Sequence, residues 1–426
     1  MPDMMKSDRG FAKRATTGKK MDQVRRALAF ASENNMRQWF LGIVEAIGGE
    51  IRHAGDVHWG YSAKPLALSG TDRIIPFPAS GGGGAEEIAE AAAYFRAKRV
   101  RPWCTCGGVM TSEALRRSLK WNGIDFSFAG ICMATDLVET PPFEPVPLEF
   151  EIRPIHDLDP ESLVAHPSHG ALDKEPALNS TRAEFALGRA DPRRAQSFGL
   201  FIDGRLVGSS MLFVKDGIAG IYNVATLPEF RRRHGALAVV DAALREARRM
   251  GIATAVLQTS LAMGSLYARL GFETVSRFDH WIGDESFETG DQPTGGDESI
   301  DAEMCMIKAA GGQFEEALAA IARDPGLAHA RLPGAAGGTL LHLASYHGLG
   351  ELVQPLIDAG ADLNARDTVY DGTPFGWATT GLAKDGPVFK RDQYKIAKLL
   401  LAAGAEPPED QLEWFANYER DAVGQR

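Results

Sequence analysis

Apolar residues at helical spacing mark Asp22–Asn34 and Met36–Ile47. The Ala- and Glu-rich stretch Ala85–Lys98 predicts a further helix, and Val109–Trp121 another. Trp103-Cys104 and Phe126–Met133 read as strands. The Pro-rich Thr140–Pro147 then interrupts the pattern and predicts a boundary. Beyond it, Leu148–Arg153 alternates with the period of a strand. Gly199–Ile202 and Leu206–Val214 flank Asp203-Gly204, a strong hairpin signal. A second Asp-Gly, at Asp216-Gly217, leads into a strand over Ile218–Thr226. Gly235–Met250 predicts a long amphipathic helix, Thr254–Gln258 a short buried strand and Gly264–Leu270 a further helix. Strands and helices alternating in this way predict an α/β or α+β domain.

The pattern changes after Gly283. Gly283–Ile300 holds six acidic residues, no basic ones and several glycines, the composition of a flexible tether. The chain beyond it is helical and repetitive. Gly338–Asp367 and Gly372–Ala405 each open on Gly-Thr, run through two helices and close on Ala-Gly-Ala. Their starts lie 34 residues apart, close to the ankyrin period. Thr339-Leu340-Leu341-His342-Leu343-Ala344 fits that pattern, with His342 expected to hydrogen-bond within the turn. Ile300–Ala330 reads as a divergent first repeat and Asp371–Pro407 as a third. An insertion at Gly381–Arg391 is expected to project as a loop that contacts a partner.

A chain of 426 residues suits about two to four domains. Its 44% hydrophobic and 24% charged residues exclude a disordered or collagen-like protein. Cys104, Cys106, Cys132 and Cys305 are too few and scattered for a disulfide framework. Cys104 and Cys106 lack companions at metal-ligand spacing, so they read as buried thiols and no metal is expected. No apolar stretch approaches the length of a membrane span. Met1–Lys20 is basic and polar, a flexible tail rather than a secretory signal, and the default location is the cytoplasm. The net charge of −10 is uneven. Gly283–Arg426 carries 11 basic and 24 acidic residues, a net −13, against +3 for the rest. No Lys/Arg face announces a nucleic-acid partner. The expected layout is a tail (1–20), two α/β units (21–140 and 148–282), an acidic linker (283–300), repeats (301–410) and a C-terminal tail (411–426).

The segment Ala219–Ala236, AGIYNVATLPEFRRRHGA, carries the chemistry. Pro228 ends a strand because it has no N–H to give. Arg231, Arg232 and Arg233 follow, then His234, and Gly235 and Ala236 open a helix. Backbone N–H groups at a helix N-terminus favour anions, and arginines add charge for a pyrophosphate. The small Gly235 and Ala236 let a phosphate approach the backbone. By contrast, Ser80–Gly84 (SGGGG) before Ala85–Lys98 lacks the spacing of a phosphate loop and reads as a connector.

Here the sequence resembles the GNAT acetyltransferase superfamily. Val224-Ala225-Thr226-Leu227-Pro228 is similar to its strand-to-loop signature. Arg231-x-x-His234-x-Ala236 is similar to its pyrophosphate loop, with His234 standing where that family usually has glycine. Leu257–Phe272 resembles its second cofactor segment, with Tyr267, Gly271 and Phe272 at the family spacing and Ser260 where asparagine is common. The region from about Arg25 to Leu137 resembles the degenerate first half of tandem GNAT proteins and has no such Arg loop. The implied architecture is two GNAT-like mixed α/β domains followed by an all-α ankyrin stack.

The resemblance implies an acetyl-CoA-dependent N-acetyltransferase acting by direct attack of an amine. It implies acetyl-CoA as cosubstrate, pairing along Tyr222–Thr226 between splayed strands. Asn223, Val224, Thr226, Arg231, Arg232, Arg233, His234, Gly235, Ala236 and Ser260 are the implied cofactor-binding residues. A backbone N–H at Asn223 or Val224 would hold the oxyanion, and Tyr267 would protonate the leaving thiolate. Ile218–Thr226 contains no carboxylate, and the flanking Asp216 and Glu229 read as turn or surface residues, so no general base is named. The competing reading is a CoA-binding protein without turnover whose repeats form the working surface. The acceptor, a small molecule or a protein, is left open, as is any protein partner of the repeats.

Overall fold

The computed structural model describes residues 18–64, 66, 73–76, 84–109, 111–143, 149–160, 174–260, 263–291, 300–310, 314–332, 335–384 and 390–423. Met1 to residue 17 of the expected N-terminal tail lie outside that set. Helix α1 (Gly18–Ala46) unites the two helical patterns near the start of the chain. After it come β1 (Glu50–Ala54), β2 (Val57–Tyr61), β3 (Arg73–Pro76), α2 (Ala85–Lys98), β4 (Trp103–Gly107), α3 (Glu113–Trp121) and β5 (Ile124–Asp136). The next stretch holds β6 (Glu151–Pro154), α4 (Lys174–Ala190), β7 (Ala195–Ile202), β8 (Arg205–Lys215), β9 (Ile218–Thr226), α5 (Gly235–Arg249), β10 (Thr254–Thr259), α6 (Gly264–Ala268), β11 (Glu273–Gly283) and α7 (Ser286–Thr289). The last holds α8 (Ile300–Ala310), α9 (Phe314–Arg323), β12 (Arg331–Leu332), β13 (Gly338–Thr339), α10 (Leu340–His347), α11 (Gly350–Asp358), α12 (Pro374–Lys384), α13 (Lys390–Ala402) and α14 (Glu409–Val423).

The hairpin turn between β7 and β8 forms as its sequence dictates. Asp203 and Gly204 both take positive φ, 49° and 77°, which matches the twist of the flanking strands. Among the described residues the strands form one eleven-stranded sheet, in the order β1-β2-β3-β4-β11-β5-β10-β9-β8-β7-β6. The β3–β4 and β9–β10 pairs are parallel and the remaining neighbours antiparallel. This sheet corrects the expectation of two units that part at the Pro-rich boundary. Strand β5 precedes that boundary but lies between β10 and β11, which follow it. Strand β11 in turn pairs with β4. Each half completes the other's hydrogen-bond ladders, so neither closes alone.

Helices cover both faces of the sheet. Ile131, Met133, Leu212 and Ile221 join α5 and Tyr267 in one apolar cluster. Their neighbours Cys132, Met211, Phe213 and Tyr222 join Met36, Trp39 and Phe40 of α1 in another. Strand alternation thus separates an α5 face from a face covered by α1, against which α4 packs.

The C-terminal region is helical, apart from the short β12–β13 pair. His342 is buried in the turn: its Nδ1 lies 3.0 Å from the Thr339 backbone N, and its Nε2 lies 3.1 Å from the Gly372 carbonyl oxygen. Two expectations change here. Residues 411–426 were expected as a tail, but helix α14 runs through most of that stretch. It buries Phe415 against Phe375 and Tyr394. The acidic segment after Gly283 was expected as a tether, but its first part docks. Phe287 is fully buried, and Arg99 donates to the carbonyls of Glu288 and Thr289. Residues 292–299 and the middle of the expected insertion at Gly381–Arg391 lie outside the described set.

Candidate active site

The site forms where two parallel strands part. Strands β9 and β10 pair from Thr254↔Ile218 to Leu257↔Ile221. Beyond Ile221, β9 continues to Thr226 without β10 as its partner. On its other side, Met211 faces Tyr222 while Ser209 faces Ala225, so β9 carries an extra residue there. Asn223 takes φ +50° at this bulge, a conformation asparagine tolerates better than most residues. The bulge turns the backbone of Asn223 and Val224 out of the regular ladder, opposite the opening.

The strand ends in a 3-10 turn over Pro228–Phe230, and α5 begins at Gly235. Arg232 and His234 take positive φ, 69° and 63°, which turns the chain sharply into the helix. Arg231, Arg232, Arg233 and His234 are exposed and Gly235 is buried. Arg231 Nε donates to the Thr226 carbonyl at 3.1 Å, tying the loop to the strand end. Arg233 lies 3.8 Å from Glu149, a distance at which exposed charges hold each other weakly. The first turn of α5 has no acidic residue, and the His234 side chain caps none of its N–H groups. The first N–H groups of a helix have no intrahelical acceptor, so such an end favours negative charge. Thr226 Oγ1 is buried and has no hydrogen-bond partner among the described residues. A buried hydroxyl left so suits a polar ligand.

Tyr267 lies on α6, largely buried, with its ring edge-on to Phe272 at 6.3 Å. Desolvation pushes its phenol up to about 12, so it keeps its proton at neutral pH. Gly264 starts α6 close to the end of the Ile131 side chain, 2.9 Å from where a Cβ would lie. Ser260 stands in the turn before α6, where its carbonyl accepts the Met263 N–H at 3.0 Å. The fold therefore gathers Asn223, Val224 and Thr226 on one strand end and residues 231–236 on the adjoining loop. Tyr267 and α5 share the apolar cluster on that face.

The other titratable candidates sit in turns or in the core. Asp216 sits at φ +52° in the β8–β9 turn. Glu229 is exposed and pairs with Arg205 at 2.7 Å. Cys104 and Cys106 are buried, and burial pushes the Cys106 thiol well up, which matches inert core thiols. No group of three or more potential metal ligands occurs among the described residues.

One residue escaped the sequence reading. Glu184, on α4, is 1% exposed, and its Oε1 accepts a hydrogen bond from Asn223 Nδ2. The signal was present but faint. Lys174–Ala190 is rich in helix-forming Ala, Leu, Glu and Arg, and Glu184 stands between Ala183 and Phe185 on a buried stretch.

Comparison with known sequences agrees with this geometry. The sequence profile of the acetyltransferase (GNAT) family matches residues 158–272, and that of the ankyrin repeat matches 336–368. The chain carries a GNAT acetyltransferase domain and an ankyrin repeat. GNAT-family members use acetyl-CoA, so the GNAT domain implies an acyl-CoA and an acceptor; ankyrin repeats generally mediate protein interactions. No curated protein matches the chain. Among solved structures, a GCN5-related N-acetyltransferase from Kribbella flavida is 16% identical, with 59% of this chain and 95% of that one covered and a TM-score of 0.45. One from Sphaerobacter thermophilus is 21% identical over 44% of this chain and 60% of its own, with a TM-score of 0.35. A tandem GNAT protein from the clavulanic acid biosynthesis pathway is 17% identical over 54% and 78%, with a TM-score of 0.40.

Proposed function

We propose that the chain transfers an acetyl group from acetyl-CoA to an amine. The parting of β9 from β10 beside an uncapped, arginine-flanked helix N-terminus carries this reading. In it, the free edge of β9 over Tyr222–Thr226 receives the pantetheine as an added strand. Backbone N–H groups of His234, Gly235 and Ala236 hold the pyrophosphate, with Arg231, Arg232 and Arg233 supplying charge. Thr226 Oγ1 gains the partner it lacks, and Ser260 borders the far side of the cleft. The backbone N–H of Asn223 or Val224, displaced by the bulge, stabilises the developing oxyanion.

Tyr267 delivers its proton to the departing sulfur. Its phenol lies above the ordinary thiol range, which by itself opposes the transfer. The dry cleft raises a thiol in the same way, which narrows the gap. The N-terminal strands and helices serve as a degenerate GNAT-like half that walls the acceptor side, and residues 301–410 as about three ankyrin repeats that recruit a protein partner or substrate. Calorimetric titration with acetyl-CoA is expected to find one site per chain. Thiol release from acetyl-CoA is expected to depend on an added amine. Binding without amine-dependent thiol release would instead support a scaffold that holds CoA and works through its repeats.

A further inference from the structure

Direct attack needs a base for the acceptor's proton. An alkyl amine is an ammonium ion at neutral pH and cannot attack until it loses one. Among the described residues most buried acids are already engaged elsewhere. Asp279 is paired with Arg116 at 2.7 Å, and Asp241 with Arg245 at 2.6 Å. Glu303 is bound to Lys120 at 3.0 Å. Glu33 accepts the Val109 N–H at 2.9 Å and the Ser276 hydroxyl at 3.1 Å, beside the N-terminal strands. Glu184 alone of these reaches the bulge. Its partner there, Asn223, is also the residue whose backbone leaves the ladder where the cleft opens.

The same face of the sheet carries α1 and α4. Helix α4 packs against α1. From α1, Trp39 stacks on Tyr222 at 4.2 Å, and Asn35 Oδ1 accepts the Tyr222 hydroxyl at 2.6 Å. These contacts fix β9 just before the bulge. They leave Asn223 and Glu184 on the α4 side of it, opposite the α5 face that would hold the pyrophosphate. The nucleophile and the thioester would then approach from opposite faces of the sheet.

Resting on the acetyltransferase reading, we propose that Glu184 is the general base for an alkyl-amine acceptor, with Asn223 orienting its carboxylate. Glu184 takes one proton from the ammonium. The amine nitrogen then bonds to the carbonyl carbon, and the carbon–sulfur bond breaks. The Tyr267 proton goes to sulfur. The attacking nitrogen sheds a second proton, which returns to the phenolate through solvent, and Glu184 releases its own to water. One proton is released per turnover.

Two kinds of nucleophile separate this role from a packing role. Phenethylamine and spermidine are ammonium ions at neutral pH and need a base. Hydroxylamine is largely unprotonated there and does not. Thiol release from acetyl-CoA is measured with each, for the native chain, Glu184→Gln and Glu184→Asp. Glutamine keeps an oxygen for the Asn223 bond. Glu184→Gln is expected to lose roughly 10²–10⁴ in amine transfer, far less with hydroxylamine, and to bind acetyl-CoA as before. Glu184→Asp should recover part of the amine rate. Full amine transfer by Glu184→Gln overturns the proposal, as does an equal loss with both nucleophiles. A native chain that uses hydroxylamine but neither amine also overturns it. A native chain that uses none of the three fails at the earlier step, the acetyltransferase reading.

Discussion

Two parallel strand–helix–strand crossovers lie in the same sheet, β3–α2–β4 and β9–α5–β10, and their helices begin in opposite ways. At α2 the first turn contains Glu86 and Glu87, and Glu87 Oε2 accepts the Gly84 N–H at 2.8 Å. The helix thereby supplies its own anion. At α5 there is no acid in the first turn, no side-chain cap, and three arginines just before it. The strands differ in the same sense. The β9–β10 pair stops at Ile221↔Leu257, and β9 runs on across the opening. A glycine run before a helix is therefore weak evidence for phosphate binding, because carboxylates in the first turn can already fill the helix end.

The most damaging test of that comparison removes the C-terminal region. If the acetyl-CoA half stood alone, a chain ending after Asp284 would fold and bind. The packing argues otherwise. Helix α8 packs on β5 and β11, and apolar residues of α2, α3, β5 and the repeats form one cluster. Burial would lower the Lys120 ammonium, but Glu303 and Asp125 outweigh it and hold it raised. Truncation takes Glu303 from this group, leaving Asp125 on Lys120, and uncovers the parts of β5 and β11 on which α8 packs. It also removes Phe287, worth about 1.5–3 kcal/mol buried. A domain is stable by only about 5–15 kcal/mol, so losing this packing is a large share of it. The truncated chain is expected to aggregate or lose near-ultraviolet dichroism, with Glu303→Ala alone lowering the melting temperature. A soluble truncated chain with native acetyl-CoA affinity would show that the shared core is not needed.

These contrasts set the limit of what the sequence makes legible. The β9–loop–α5 segment can be read because its punctuation is local: Asp-Gly turns, Pro228, the arginines and a small-residue helix start. The place of β5 between β10 and β11 cannot, since it depends on pairing between residues more than a hundred positions apart. Glu184 was hidden for a related reason. Its meaning comes from Asn223 on another strand, and its own helix shows no clean polar face. The acidic segment misled because composition averages over residues. Phe287 and the Arg99 hydrogen bonds dock its first part among six acids.

The next test asks whether chemistry is done on the helix that follows the second crossover. Tyr267→Phe keeps the ring against Phe272 and removes only the hydroxyl. Amine-dependent thiol release is expected to fall by roughly 10²–10⁴, with acetyl-CoA affinity nearly unchanged. Unimpaired turnover would reduce Tyr267 to packing.

A smaller effect comes from making α5 begin as α2 does. Ala236→Glu places a carboxylate in its first turn. A negative charge there should stabilise the helix by about 0.3–1 kcal/mol. It should also compete with the pyrophosphate and weaken acetyl-CoA binding by about tenfold to a hundredfold. Raised melting temperature with lowered affinity, read by calorimetry on one variant, is the expected signature. Unchanged affinity would place the pyrophosphate elsewhere.

The converse substitution is expected to do least. Glu87→Gln in α2 keeps a hydrogen-bond acceptor for Gly84 but removes the charge. The loss should be about 0.5–1 kcal/mol of stability, from weaker capping and lost dipole complementarity. Emptying that helix end should not create a second acetyl-CoA site. Glu86 still occupies the turn, and the β3–β4 pair runs from Ile74↔Trp103 to Pro76↔Thr105 with no counterpart of the Asn223 bulge among the described residues. Titration of Glu87→Gln should therefore still find one site of native affinity. A second site appearing there would mean that the carboxylates of α2, rather than the missing bulge and arginines, are what keep the N-terminal crossover from binding the cosubstrate.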